Sequence, residues 1–223
     1  VAQYLKHESW QTRQAACQAM GDLGQAAAPY LGAVECLADD EVNWVRAAAC
    51  EALGKHGEAA VPFVGAVAEG LADEYWQIRK AACEALGKHG EAAVPHLAAV
   101  ANCLSYRYEI HGDDYGMSVR AAACEALGKH GEAAEPHLGG VAERLQDEDE
   151  DVRKAAYNAL KSHIEARGQA VAAAVRATKG VDVWSLARKV LDEIRQGSAQ
   201  PAGYAPPPAR HPPAPKSSAC AIS

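Results

Sequence analysis

Between residues 40 and 72 the apolar and polar positions follow a pattern that recurs along most of the chain. Val45, Ala49, Ala52 and Leu53 fall at i, i+4, i+7 and i+8, the interval that aligns side chains on one face of an α-helix. Glu51 and Lys55 are nearly the only polar residues after Arg46 in this stretch, and they stand at i, i+4 in the favourable order for an ion pair. A helix apolar around most of its circumference must be covered on several sides. Asp39, Asp40 and Glu41 put negative charge ahead of its first turn. Lys55 and His56 put positive charge at its last, and both ends suit the helix dipole. Gly57 supplies the left-handed residue that closes the helix. A second stripe follows at Val64, Val67 and Leu71, in a helix expected to start within residues 58–61. Pro62 fits its first turn, where an amide has no intrahelical acceptor.

The pattern is a repeat. The string AACEALGKHGEAA occurs verbatim at 48–60, 81–93 and 122–134. A looser copy lies at 15–27, and a decayed one, KAAYNALKSHIEA, begins at Lys154. Cys17, Cys50, Cys83, Cys124 and Tyr157 mark the same position in successive copies, at steps of 33, 33, 41 and 33 residues. A two-helix unit of this size cannot bury its apolar face alone, whereas stacked copies share a continuous core. The expected fold is therefore all-α, a right-handed α-solenoid of about five helical hairpins. Val1 begins in mid-pattern, at the end of a second helix, so a preceding segment is expected. Residues 164–178 read as the last second helix and 182–195 as a closing one.

The series D-x-x-V-R-x-A-A-x-x-A-L-G-x-x-G-x-x-A-x-P-x-L resembles short HEAT-like repeats of the phycobilisome-lyase type, in an armadillo-like superhelix. Val45-Arg46 through Pro62, Ile78-Arg79 through Pro95, Val119-Arg120 through Pro136 and Val152-Arg153 through Leu160 carry the likeness. Ankyrin and tetratricopeptide signatures are absent. That family includes scaffolds, bilin lyases and di-iron hydroxylases, so the resemblance implies fold more sharply than function. It also implies that Arg13, Arg46, Arg79, Arg120 and Arg153 pair with aspartates of neighbouring turns, with Asp40, Asp73 and Asp147 as candidates. A basic stripe for partners is the alternative.

Composition narrows the function. The apolar share is 49%, with 6% aromatics and a single Phe, so the core is built of Ala, Val and Leu. A net charge of −7 disfavours a nucleic-acid surface, which needs clustered Lys and Arg. No apolar run approaches the roughly 20 residues of a membrane span. Seven cysteines, an odd number, in an acidic chain without a signal peptide indicate a reducing, cytoplasmic setting. Cys50, Cys83 and Cys124 recur one unit apart. Neighbouring helices pack about 8–10 Å apart, too far for disulfides between these residues, and a row of thiols does not converge on zinc. They read as small buried hydrophobes. His56, His89 and His130 with Glu58, Glu91 and Glu132 invite a metal reading, because the hydroxylases hold two irons with adjacent His-Glu pairs. Here glycine separates each pair, only His7-Glu8 is adjacent, and capping of the helix end is the simpler role. No metal or other cofactor is expected.

Three groups remain as candidate binding residues. Trp10, Trp44 and Trp76 precede the repeat arginines by two or three residues. Packing as staples is favoured for them over an exposed aromatic edge, but Trp44 and Trp76 are retained as contacts because tryptophan is enriched at interface hot spots. The one long step carries an insertion, residues 105–117. Its Tyr106, Arg107, Tyr108, His111, Asp113, Asp114 and Tyr115 suit protein contact, and insertions in repeat arrays often map to the binding face. A tolerated surface loop is the plain alternative. Asp113 and Asp114 lack EF-hand spacing.

After Gly197 the composition changes: seven of the eleven prolines lie in 201–215. Residues 1–196 are read as the solenoid and 197–223 as a Pro-rich disordered or polyproline II tail. The tail ends in Cys220-Ala221-Ile222-Ser223, a C-a-a-X pattern whose Ser favours farnesyl on Cys220. One lipid gives reversible membrane association. The expected function is a non-catalytic protein-interaction scaffold, cytoplasmic and reversibly at a membrane surface. A bilin-lyase-like or hydroxylase-like enzyme and a structural spacer are the rivals.

Overall fold

The structure, a computed structural model, describes residues 1–110 and 113–177, and at residues 110, 113 and 167–177 the backbone alone. Its first helices are α1 (Trp10–Asp22), α3 (Asn43–Gly54), α5 (Trp76–Leu86), α7 (Gly116–Lys129) and α9 (Glu150–Ala177). Between them lie the short helices α2 (Leu31–Glu35), α4 (Val64–Glu69), α6 (Leu97–Asn102) and α8 (Leu138–Glu143), flanked by 3-10 turns. Each first helix packs beside the next, α1 on α3 through to α7 on α9, and each second helix covers the first helix that follows it. The fold is an all-α solenoid of HEAT-like hairpins. The sole strand pair among the described residues joins β1 (Glu109–Ile110) and β2 (Asp113–Asp114) antiparallel, inside the insertion.

The expected stripe is the core. Val45, Ala49, Ala52 and Leu53 are each at most 1% exposed. Burying a leucine of this kind is worth about 1.5–3 kcal/mol. Val64, Val67 and Leu71 close over them from the second helix. The Ala-Leu-Gly of the three verbatim copies has a packing reason. A Cβ placed on Gly54 would stand 2.7 Å from Ala85 Cβ, and one on Gly128 would stand 2.8 Å from Ala159 Cβ. The first helices thus touch backbone to backbone at their C-terminal ends, where only glycine fits.

Three local readings change. Lys55 does not pair with Glu51; its Nζ lies 2.7 Å from Asp22 Oδ1, across the groove to the preceding first helix. The second helix is not a plain α-helix entered at Pro62. Residues Gly57–Phe63 form 3-10 turns, and the α-helical segment begins at Val64. The Val64 amide donates to Val61 O, an i→i+3 bond that passes over Pro62 without needing the amide proline lacks. The fifth unit shows no hairpin: α9 runs unbroken through 28 residues, so 164–178 does not begin a separate helix among the described residues. Gly57 closes its helix at φ +50, and the corresponding position here is Ile164. A β-branched residue resists that left-handed conformation, so the helix continues.

The repeat arginines are the staples between units. Arg13 Nε and Nη2 donate to the two oxygens of Asp40 at 2.7 and 2.9 Å, and Arg46 grips Asp73 at 2.8 and 3.2 Å. Arg120 holds Asp147 at 2.8 and 2.7 Å. Each aspartate lies 27 residues after its arginine. It has a second task, since Asp40 Oδ1 also accepts the Val42 amide and Asp147 Oδ1 the Asp149 amide ahead of their own helices. One carboxylate therefore starts its own unit and grips the preceding one. The residue 27 after Arg153 is Gly180, which lies outside the described residues, as do the proposed closing helix 182–195 and the tail 197–223.

Candidate functional site

The staple fails at one joint. The residue 27 after Arg79 is Tyr106, and the Arg79 guanidinium stacks 4.5 Å from the centre of its ring. Arg79 donates otherwise to backbone carbonyls, including Leu71 O at 2.9 Å. The eight extra residues begin directly after Tyr106, and they separate the two tasks that one aspartate performs elsewhere. Tyr106 meets the preceding arginine. Asp114 starts the next helix, its Oδ1 accepting the Gly116 amide at 2.8 Å. Asp114 Oδ2 also takes 2.8 Å from Arg120 Nη1, which donates to Tyr106 O as well. Arg120 is wholly buried between Asp147, Asp114 and this carbonyl.

The described ends of the insertion are therefore pinned to the helices beside them. Tyr115 N donates to Tyr108 O at 2.8 Å, and the Tyr106 and Tyr108 rings stack at 6.4 Å. Gly116 is buried beneath the turn, where a Cβ would meet Tyr106 O and Asp114 Oδ1 at 2.8 Å. Arg107 remains exposed, 3.6 Å from Asp114 and 3.7 Å from Glu148. Asp113 is described in its backbone only, as part of β2, and His111 lies outside the described residues.

Tyr115 points the insertion at the tryptophans. It is 39% exposed, and its ring stacks on Trp76 with centroids 5.9 Å apart and planes at 26°. Trp44 is 46% exposed and Trp10 is exposed at its margin, so the staple reading does not hold for these two. Trp44 and Trp76 line a hollow of ≈ 220 Å³ that crosses α1, α3 and α5. A second hollow of ≈ 160 Å³ crosses α5 and α7 and reaches Asp149 and Asp151. Lys80 and Glu84 line both, so the two form one trough running across the row of first helices.

Equivalent positions line the trough in each unit. Ala48, Ala81 and Ala122 are buried at its base. Glu51, Glu84 and Glu125 stand along it at one repeat position, with Gln18 at the same place in the first unit. Glu84 is ion-paired to Lys80 at 2.9 Å. Gln77, also on the wall, has a buried Oε1 that accepts no hydrogen bond. The sequence put the tryptophans and the insertion forward separately. Their meeting across the joint between α5 and α7 is a product of the fold.

Five thiols and His89 are buried in the stack, with His56 and His130 half-buried. Burial pushes Cys17, Cys50 and Cys124 up to about 12, which keeps them as inert thiols. Cys83 hydrogen-bonds Cys103 of its own unit, which raises Cys83 and lowers Cys103. Cys17, Cys50, Cys83, Cys103 and Cys124 are all free thiols. His56 Nε2 lies 2.9 Å from Met20 O and His130 Nε2 lies 3.1 Å from Leu86 O, so each ring meets a carbonyl at the end of the preceding first helix. Burial first, then Lys88 and Lys129 respectively, hold His89 and His130 below the ordinary value of about 6.5. These two rings are neutral at pH 7 and do not serve as cations for the helix dipole. No three His, Cys, Asp or Glu converge on a metal-sized point among the described residues.

The histidines make stability depend on pH with a definite sign. The folded rings resist protonation, so as pH falls through about 6.5 the unfolded chain takes up protons first and stability drops. Above that pH both states are neutral and the full stability is present. The expected result is a Tm that is flat near pH 7.5 and falls between about pH 6.5 and 5.5. His89→Gln with His130→Gln should make the fall shallower, the remainder coming from His137, which burial also lowers. An unchanged wild-type Tm down to about pH 5 would remove the assignment.

Comparison with known proteins agrees with the fold. A family model described as HEAT repeats matches residues 1–54 and 31–105. No curated protein matches the chain in sequence. The CpcE–CpcF complex of phycocyanin lyase from Nostoc sp. PCC7120 is 20% identical, with a TM-score of 0.63 over 86% of this chain and 75% of that one. An engineered protein is 16% identical, with a TM-score of 0.58 over 88% and 95%. A designed armadillo repeat protein in complex with a (KR)4 peptide is 15% identical, with a TM-score of 0.56 over 86% and 97%. At these identities the likenesses concern fold alone.

Proposed function

The chain being built of HEAT-like repeats, we propose that it is a non-catalytic protein-interaction scaffold whose binding face is the trough along the first helices. The observation that carries this reading is the convergence of Trp44, Trp76 and Tyr115 on that one face. Large rigid aromatics left in water at the edge of an alanine-floored hollow are costly unless something covers them, and Trp and Tyr dominate interface energetics. Arg107 and Tyr108 of the insertion are proposed as further contacts beside the trough. The solved relatives point both ways: one is a lyase complex and another a designed protein holding a peptide. We favour the scaffold because Cys17, Cys50 and Cys124 are buried and raised rather than activated.

Farnesylation of Cys220 remains part of the proposal. It would add reversible recruitment to a membrane face from a cytoplasmic pool, and no helix among the described residues is long and apolar enough to cross a membrane. Intact-mass measurement on native protein tests it, and an unmodified Ser223 terminus would refute it.

Site-specific photocrosslinking tests the face. A photoreactive amino acid at Trp44 is expected to capture a discrete partner in native cells, and the same probe at Val61, exposed on the second-helix side, is not. Trp44→Ala should weaken capture by a distant crosslinker at least tenfold, the loss of a hot-spot side chain worth about 2 kcal/mol. Equal capture from both positions would count against the trough.

A further inference from the structure

The trough has a sign as well as a shape, and its spacing constrains what fits. Glu51, Glu84 and Glu125 stand at one position of successive units, and Asp149 and Asp151 extend the line onto α9. Against these five carboxylates the wall offers, among the described residues, one cation, Lys80, which is already paired with Glu84. The orphaned Gln77 Oε1 asks for a donor from outside the chain, since a buried acceptor left unmade costs free energy. Indole and alanine surface lies between the acids and suits the aliphatic stems of long cationic side chains.

Resting on the reading of the trough as a binding face, we propose that its occupant is an extended, basic segment of a partner protein with Lys or Arg at about every third residue. The period follows from geometry. Packed helices lie about 8–10 Å apart, which sets the interval from one glutamate to the next. An extended polyproline II segment rises about 3.1 Å per residue with three residues per turn, so every third side chain returns to one face after about 9.3 Å. A cation at each third position then meets one carboxylate per unit. A helical segment advances only about 5.4 Å per turn and a strand repeats its face every two residues, so neither keeps this register.

The test uses the full chain and synthetic peptides in a fluorescence polarisation titration. One peptide carries Arg at every third position in an Ala/Pro background. A second has the same composition with its arginines in one block, and a third replaces Arg with Glu. The spaced peptide is expected to bind at least tenfold more tightly than the block peptide, and the Glu peptide not at all. Glu51→Gln and Glu125→Gln, both exposed, should each weaken it roughly threefold. Lys80→Ala should tighten it by freeing Glu84, a gain that damaged folding cannot mimic. Equal binding of spaced and block peptides, or weaker binding by Lys80→Ala, overturns the proposal. So does light-scattering evidence that a second copy of the chain occupies the trough. If Trp44 still crosslinks a native partner while no basic peptide binds, this inference fails and the scaffold reading stands.

Discussion

Arg120→Met is expected to lower the unfolding free energy by about 3–5 kcal/mol, the largest effect of any single substitution considered. Arg120 has no solvent exposure, and the side chain of Asp147 is 1% exposed. Removing the guanidinium leaves that carboxylate buried with the Asp149 amide as donor and only the longer, 4.0 Å ion pair to Arg144. The Asp114 contact adds less, because that side chain is 24% exposed. Burial pushes the Asp147 carboxyl up, but hydrogen bonds from Arg120 and the Asp149 amide bring it below its ordinary value. Its contribution is therefore present above the unfolded carboxyl pKa of about 3.9 and is lost as pH falls through and below it. In the variant the balance tips towards burial, so the deficit against wild type should narrow in acid. Arg79→Met provides the contrast. It abandons no carboxylate, only a tyrosine ring and carbonyls, and should cost about 1 kcal/mol. Urea denaturation of both variants measures the difference, and equal losses would show that the carboxylates do not matter.

Gly54→Ala is the second. Alanine is the better helix former by about 1 kcal/mol, and on an exposed helix it would stabilise. Here its methyl would lie 2.7 Å from Ala85 Cβ and 2.8 Å from Ala85 Cα, both on the rigid backbone side of the next first helix. Overpacking of a close-packed contact costs about 1–3 kcal/mol, so a net loss of about 1–2 kcal/mol is expected. Ala85→Gly in the same chain should recover part of it, because the two changes exchange a methyl across one contact. A Gly54→Ala variant more stable than wild type would mean that the units sit further apart than described.

Much of this architecture was readable in the chain. The 33-residue step and the left-handed Gly57 follow from local rules, and the Arg–Asp pairing is implied by the resemblance to HEAT-like repeats. What escaped did so where one residue answers to two neighbours. Lys55 seemed paired within its helix because sequence shows i, i+4 but not Asp22 across the groove. Tyr106 looked like one more aromatic of a loop, although counting 27 residues from Arg79 places it in an aspartate's seat. Gly116 carries no periodic signal, because its reason is a close approach by the inserted turn. Spacing alone does not tell which way a tryptophan faces. Trp76 and Trp44 sit one register position apart, which turns Trp44 into solvent and Trp76 onto Tyr115. Even the unbroken α9 had a visible cue, Ile164 at the glycine position.

Hydrogen exchange of Arg120→Met, followed amide by amide, tests most directly whether neighbours alone hold the units together. In a row of that kind the damage is local: amides of α7 and the first turns of α9 should exchange at least tenfold faster, while those of α1 and α3 keep wild-type protection. A uniform loss of protection from α1 to α9 would contradict the account.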